Sequence, residues 1–272
     1  MKANKYDLHI HSAYSDGTDT PKQILDKAKA FGIENVAITD HDTIGALKEA
    51  KAYAKKIGIN YVNGVELSTF GLTEVHVLGY GFDENNDYIN QTIEDFSNQR
   101  KERVKKILDM LAKQNIIINE EDLVESSSIG RLHVANALIK KGYVTTIPEA
   151  FDKYLGAKGS AYLPSRRITP LEGVRIIKKA GGIPVIAHPL KFFQERKLED
   201  LIIGLKQYGL GGIEVYYNTH DEKTRQVFYA LAQKYKLIST GGTDYHGKNR
   251  KLEMGSVMWE PDAVTKNLLH LN

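Results

Sequence analysis

The chain has 272 residues, 42% of them hydrophobic and 26% charged, with Lys+Arg at 37 against Asp+Glu at 34 for a formal charge of +3. That length holds one barrel-sized domain or a domain with an insertion, and so small a charge does not suggest a general nucleic-acid-coating protein, while leaving room for a local basic patch. Cysteine is absent, which excludes disulfides and thiolate metal sites and leaves nitrogen and oxygen as the only metal donors.

The N-terminal segment MKANKYDLHIH enters a strand-like run at once, with no apolar stretch leading to a cleavage site. No apolar run approaches the roughly 18 residues that a membrane helix requires. A cytoplasmic, non-membrane protein is expected. From there, short apolar runs alternate with helix-period segments. The runs are YDLHIH (6–11), NVAITDHD (35–42), NYVNGVELS (60–68), EVHVLGYGF (74–82), GIPVIAHP (182–189), GGIEVYYN (211–218) and LISTGGTDYH (237–246). Each is apolar or β-branched and then turns polar, the pattern of buried parallel strands.

The intervening helices have legible ends. Thr20-Pro21 predicts an N-cap followed by proline at the first helical position, and Gly32 closes that helix. Ile44 to Ile57 stops at Gly58, and Thr169-Pro170 opens a helix that ends at Gly181-Gly182. Strand–helix alternation of this kind predicts an α/β fold. Residues 86–167 break it. Asp87 to Gln114 reads as one long charged helix, Asn119 as an N-cap, and Gly130–Lys141 and Pro148–Leu155 as two shorter helices. The expectation is a barrel domain from 1–85 and 168–272 with a helical insertion subdomain at 86–167.

The ionisable residues cluster where strands end. His9 and His11 end the first run, Asp40, His41 and Asp42 the second, Glu66 the third, His188 the run after the insertion, and Asp244 and His246 the last. In a parallel α/β barrel those ends lie on one face, so residues distant in the chain converge. His9 and His11, two apart on a strand, point the same way. A lone histidine at such a position is ordinarily just hydrogen-bonded; five of the nine histidines there, with carboxylates alongside, call for another reason. Neutral imidazoles with a few carboxylates suit Zn²⁺, Mn²⁺ or Fe²⁺. The set exceeds one ion's needs, so two or three divalent ions are expected, with a carboxylate bridging them. Such clusters promote in-line displacement at phosphorus.

The ordered segments DLHIHSAYSDGT, AITDHD, GVELS, EVHVLGY, IAHP and GGTDYHG resemble the motifs of the PHP (polymerase and histidinol phosphatase) superfamily, over nearly the whole chain. The resemblance implies a distorted, TIM-like (β/α)7 barrel. It also implies metal ligation by His9, His11, Asp16, His41, Glu66, His76, His188, Asp244 and His246, of which His9, His11, Glu66, His188, Asp244 and His246 would carry catalysis. One ion would take His9, His11, Glu66 and Asp244; a second would share Glu66 and add His76 and His188; a third would take Asp16, His41 and His246.

The insertion segment IGRLHVANALIKKGYV followed by AYLPSRR is similar to the small single-chain PHP subfamily of 3′,5′-nucleoside bisphosphate phosphatases and 5′→3′ exoribonucleases. Members often read Gly-Arg-Pro-His where this chain has Leu132 in place of the proline. The implied activity is metal-dependent hydrolysis of a nucleotide phosphate monoester, with 5′→3′ exonuclease action on short RNA. The partner would be a small nucleotide or short oligonucleotide; no obligate protein partner is inferred. Alternatives are another PHP phosphatase, such as one for histidinol phosphate, or a non-catalytic metal-binding module. Arg131 and His133 follow Gly130 at a helix start, where backbone N–H groups favour anions and arginine offers a bidentate fork. With Arg166, Arg167 and His220 they are the expected substrate-binding residues. The basic stretch Arg100, Lys101, Arg103, Lys105 and Lys106 reads as a solvated helix face, since Glu102 and Asp109 interleave with it. Asp40 or Asp42 is expected to orient His41.

Overall fold

The first expected strand, β1 (Tyr6–Ile10), is buried at every position. In the computed structural model, which describes residues 5–71, 73–123, 129–164, 167–191 and 195–272, it is followed by α1 (Pro21–Ala30), β2 (Asn35–Ile38) and α2 (Leu47–Ile57). The predicted start of α1 is a full capping box: Thr20 accepts from the Gln23 N–H while the Gln23 side chain returns to the Thr20 backbone. Gly58 ends α2 at φ 77°, a left-handed turn that glycine enters without a Cβ penalty.

The run 60–68, expected as one strand, divides into β3 (Asn60–Tyr61) and β4 (Gly64–Phe70), and β5 (Glu74–Tyr80) follows. Then come α3 (Asp87–Ala112), α4 (Arg131–Lys140), α5 (Ile147–Ala150) and α6 (Pro170–Lys179), the last capped by Thr169 with Glu172. The order ends β6 (Ile183–Ile186), α7 (Glu195–Lys206), β7 (Gly212–Tyr216), α8 (Glu222–Lys234), β8 (Ile238–Gly241) and α9 (Ala263–Leu269). Among the described residues no helix is long and apolar enough to cross a membrane.

Two sheets result, one ordered β1-β2-β3 and one β4-β5-β6-β7-β8. The expectation of parallel pairing throughout is corrected at β5, which is antiparallel to both β4 and β6. Only residues 71–73 join β4 to β5. A parallel crossover needs a dozen or more residues, so so short a link can only make a hairpin. The remaining pairs are parallel. Backbone bridges Ile10–Tyr245 and His41–Glu66 join the two sheets. Leu8, Ala37, Leu78, Tyr80, Val185 and Ile238, drawn from both sheets, share one buried cluster.

The chain forms two compact units, 1–92 with 167–272 and 93–166. The second has a core of its own, with Val104, Ile107 and Leu111 of α3 against Val134 and Leu138 of α4 and Leu155. Within it Arg103 donates through Nε and Nη2 to the Leu163 carbonyl, so one member of the expected basic face is engaged with backbone.

Candidate metal centre

Backbone hydrogen bonds deliver the side chains. Asp244 N–H donates to the His9 carbonyl and His11 N–H to the Tyr245 carbonyl, both at 2.8 Å, which fastens the segment after β8 beside the end of β1. Asp244 and His246 thereby meet His9 and His11. Asp42 N–H donates to the Glu66 carbonyl at 2.9 Å and Glu66 N–H to the Asp40 carbonyl at 3.1 Å, which sets His41 beside Glu66. In the β4–β5 register Glu66 faces Leu78, so His76 is its diagonal neighbour on the same face. Ala187 N–H donates to the His76 carbonyl at 3.0 Å and brings His188 alongside.

The two oxygens of Glu66 face different partners. Oε1 lies 2.8 Å from His76 Nδ1 and 2.9 Å from His188 Nε2. Oε2 lies 3.1 Å from His41 Nδ1, 3.2 Å from His11 Nε2 and 3.5 Å from His9 Nε2. Asp244 Oδ1 is 3.2 Å from His11 Nε2 and 3.5 Å from His9 Nε2, and Asp16 Oδ1 is 3.2 Å from His246 Nε2. Donor atoms within 4.8 Å of one another form four groups: His11, Asp16, His41 and His246; His9, His188 and Asp244; His9, His11 and Glu66; and His41, Glu66 and His76. All nine expected ligands fall in these groups.

A divalent cation suits this arrangement on the chemistry of its atoms. His9 Nε2, His11 Nδ1 and Nε2, His41 Nδ1, Glu66 Oε2 and His246 Nε2 are buried without a hydrogen bond, although nitrogens and oxygens stand at ion-pair distance. Buried polar atoms are ordinarily satisfied, and orphans gathered at one place point to an ion they would share. Two of the rings are oriented from behind: His9 Nδ1–H donates to Glu214 Oε1 at 2.9 Å and His246 Nδ1–H to the Asp244 carbonyl at 2.8 Å, leaving each Nε2 toward the centre.

The charges follow. Burial works against the anions of Glu66, Asp16 and Asp244, but the surrounding imidazoles hold all three carboxyls well below the usual range. Burial likewise works against the cation of His11, yet the adjacent Asp244 and Glu66 carboxylates raise it to about 9. His76 also rises to about 9, burial being outweighed by Glu66 and Glu74. At His41 burial prevails and its pKa drops to about 3, and His246 is lowered for the same reason.

Three groups that sequence reasoning did not single out support the centre. Glu214 on β7 holds His9. Tyr217 donates its hydroxyl to Asp244 Oδ2 at 2.6 Å, and the Arg250 guanidinium pairs with the same oxygen. The one signal for Glu214 was an acid inside the apolar run GGIEVYYN. Asp40, expected as a partner of His41, instead holds the loop that carries Asp16, accepting from Ser12 N–H at 2.7 Å and from the Ser12 and Ser15 hydroxyls at 2.6 Å. Asp42 Oδ1 accepts from Ser68 N–H at 2.7 Å. Asp42, His188 and Asp244 all have positive φ, at 50°, 26° and 56°. Non-glycine residues in that region are strained and concentrate at functional sites.

The described residues among those expected to bind substrate are engaged as follows. Arg167 is ion-paired with Glu74, whose Oε1 lies 3.5 Å from His76 Nε2. Arg131, in the second unit, donates to the Leu155 carbonyl at 3.0 Å, with its guanidinium 5.4 Å from the Phe151 ring centre and 5.8 Å from that of Tyr162. His133 Nδ1 accepts from Gly130 N–H at 3.1 Å at the start of α4. His220 is buried against Tyr217 and Phe228 and donates to the Val215 carbonyl; it is not among the grouped donors. Arg166 lies outside the described residues.

An α/β frame carrying this cluster of imidazoles and carboxylates defines a metal-dependent phosphoesterase. A family model described as the PHP domain matches residues 7–161, and the chain belongs to that family. It is 31% identical over 264 residues to a 5′-3′ exoribonuclease of Haemophilus influenzae, covering 96% of each chain. It is 33% identical over 246 residues to a 3′,5′-nucleoside bisphosphate phosphatase of Chromobacterium violaceum, covering 88% of this chain and 86% of that one. A solved structure from Bifidobacterium adolescentis, described as that of a metal-dependent phosphoesterase, superposes with a TM-score of 0.85 at 29% identity, over 100% of this chain and 97% of its own.

Proposed function

We propose that this phosphoesterase removes a phosphate monoester from a nucleotide, converting a 3′,5′-nucleoside bisphosphate to the nucleoside 5′-monophosphate, and that it also trims short RNA from the 5′ end. The observation that carries the reading is the division of Glu66, with Oε1 beside His76 and His188 and Oε2 beside His9, His11 and His41. A carboxylate so placed would serve two ions at once. His9, His11, Glu66 and Asp244 would hold one ion, Glu66, His76 and His188 a second, and Asp16, His41 and His246 a third, each Mn²⁺, Zn²⁺ or Fe²⁺. Such ions polarise the phosphoryl group and supply a nucleophilic water. The nucleotide substrate is taken from the names of the relatives.

The same reading closes β1, β2 and β4 to β8 into a seven-stranded barrel, supported by the bridges Ile10–Tyr245 and His41–Glu66. Residues 86–167 are then its helical insertion, and the protein is cytoplasmic. Arg131, His133, Arg166, Arg167 and His220 are proposed for substrate binding on the sequence grounds given above. The test is a screen with Mn²⁺ of nucleoside 3′,5′-bisphosphates, nucleoside monophosphates, histidinol phosphate and short 5′-phosphorylated RNAs. The bisphosphate is expected to give the highest kcat/KM, and a preference for histidinol phosphate would overturn the assignment.

A further inference from the structure

Glu214 is fully buried in β7, and each of its oxygens accepts a hydrogen bond. Oε1 accepts from His9 Nδ1–H at 2.9 Å, and Oε2 accepts from the His188 backbone N–H at 2.7 Å. Those two histidines reach opposite oxygens of Glu66: His9 Nε2 is 3.5 Å from Oε2 and His188 Nε2 is 2.9 Å from Oε1. We infer that Glu214 is a positioning residue for two ion positions at once, fixing which ring nitrogen His9 offers and the backbone turn from which His188 projects. The inference rests on the reading that His9 and His188 hold metal.

At His9, a carboxylate can only accept. In the neutral ring that a metal ligand must be, the nitrogen facing Glu214 carries the proton, which leaves the Nε2 lone pair toward Glu66 and Asp244. At His188, the backbone sits at φ 26°, a conformation that a non-glycine residue keeps only when its surroundings hold it. The N–H bond to Glu214 is such a hold, acting at the residue itself. Neither Glu214 contact involves lysine or arginine. A buried carboxylate without such a partner is a poor stabiliser of a strand, and an apolar side chain would fill β7 at lower cost. Its geometry is accounted for by what it orients.

Glu214→Gln keeps the shape and removes the double acceptor. The amide can present its oxygen to only one of the two donors. Either His9 moves its proton to Nε2, which blocks that nitrogen as a ligand, or the His188 N–H faces an NH₂ group. Titration of the metal-free protein with Zn²⁺ alone is expected to show binding weakened about 10- to 100-fold at more than one equivalent, with the far-ultraviolet circular dichroism unchanged. A second measurement needs no variant: in the zinc-loaded wild type, the ¹⁵N signals of the His9 ring should report a proton on Nδ1. Zinc uptake by Glu214→Gln at wild-type affinity, or a wild-type His9 protonated on Nε2, would overturn the inference while leaving the metal centre intact. A wild-type protein that takes up no zinc would overturn the metal centre and this inference with it.

Discussion

Tyr217 donates its hydroxyl proton to Asp244 Oδ2 at 2.6 Å, while Asp244 Oδ1 faces His11 and His9 at 3.2 and 3.5 Å. The carboxylate is thus gripped through one oxygen and presented through the other. Burial and the neighbouring Asp244 push the Tyr217 phenol upward, so it stays a donor at any working pH. Tyr217→Phe removes this hold and leaves the Arg250 pair in place. Metal retention in competition with a chelator should fall about tenfold, the lower end for residues that orient ligands. Unchanged retention would mean that Asp244 is held without Tyr217.

Proton competition sets the pH dependence of metal uptake. The pKa values of His11 and His76 are raised to about 9 in the metal-free protein, so both rings are protonated at neutral pH. A metal ligand must be neutral, so apparent affinity should rise with pH between 6 and 9, by about tenfold per unit for each proton displaced. His41, held down to about 3, and His246 are already neutral there. Ions held by Asp16, His41 and His246 should accordingly show the weaker dependence. Calorimetric titration in buffers of different ionisation enthalpy counts the protons released; no release at pH 7 would refute this picture.

At Gly242 the backbones of two site-bearing segments pass closely. A Cβ there would stand 2.4 Å from His9 N and 2.5 Å from His9 Cβ, distances that only displacement of β1 can relieve. Gly242→Ala should lower stability by about 1–3 kcal/mol, as overpacking does, and should also strip metal because His9 moves. Thermal melting and metal content are read on the same sample. A variant with both values unchanged would show that the two segments can separate freely.

Arg131 separates substrate recognition from chemistry. If it grips the phosphate that is not cleaved, Arg131→Ala should lower kcat/KM for a nucleoside 3′,5′-bisphosphate by about 10- to 150-fold, the equivalent of losing a charge-assisted hydrogen bond of about 1.5–3 kcal/mol. p-Nitrophenyl phosphate, with one phosphate, should be affected far less. Arg131 also donates to the Leu155 carbonyl and lies beside two aromatic rings, so a melting curve belongs with the kinetics. Equal loss on both substrates with a lowered melting temperature would assign Arg131 to the fold of its unit alone.

Seven of the nine side chains brought together here were legible as histidines and carboxylates at points where apolar runs turn polar; Asp16 and His76 were legible only through the resemblance to the PHP motifs. Helix ends were legible for a similar reason: Thr20-Pro21 and Thr169-Pro170 encode their caps locally. Strand direction was not. EVHVLGY is equally apolar read either way, and only the three-residue link at 71–73 requires β5 to run back along β4. Glu214, Tyr217 and Arg250 were missed because their roles exist only across the fold. Nothing near Glu214 in sequence predicts that it meets His9 and the His188 N–H.

The central claim is that Glu66 is shared between ions in a multinuclear centre. The most direct measurement is metal content per chain, by mass spectrometry, for wild type and Glu66→Gln after chelation and reconstitution with Mn²⁺, with phosphoesterase activity followed in the same samples. The account predicts two or three equivalents in the wild type, loss of more than one equivalent from the single substitution, and an activity loss beyond the roughly 100-fold upper range of residues that merely orient ligands. Full activity in wild-type protein carrying less than one equivalent would contradict it.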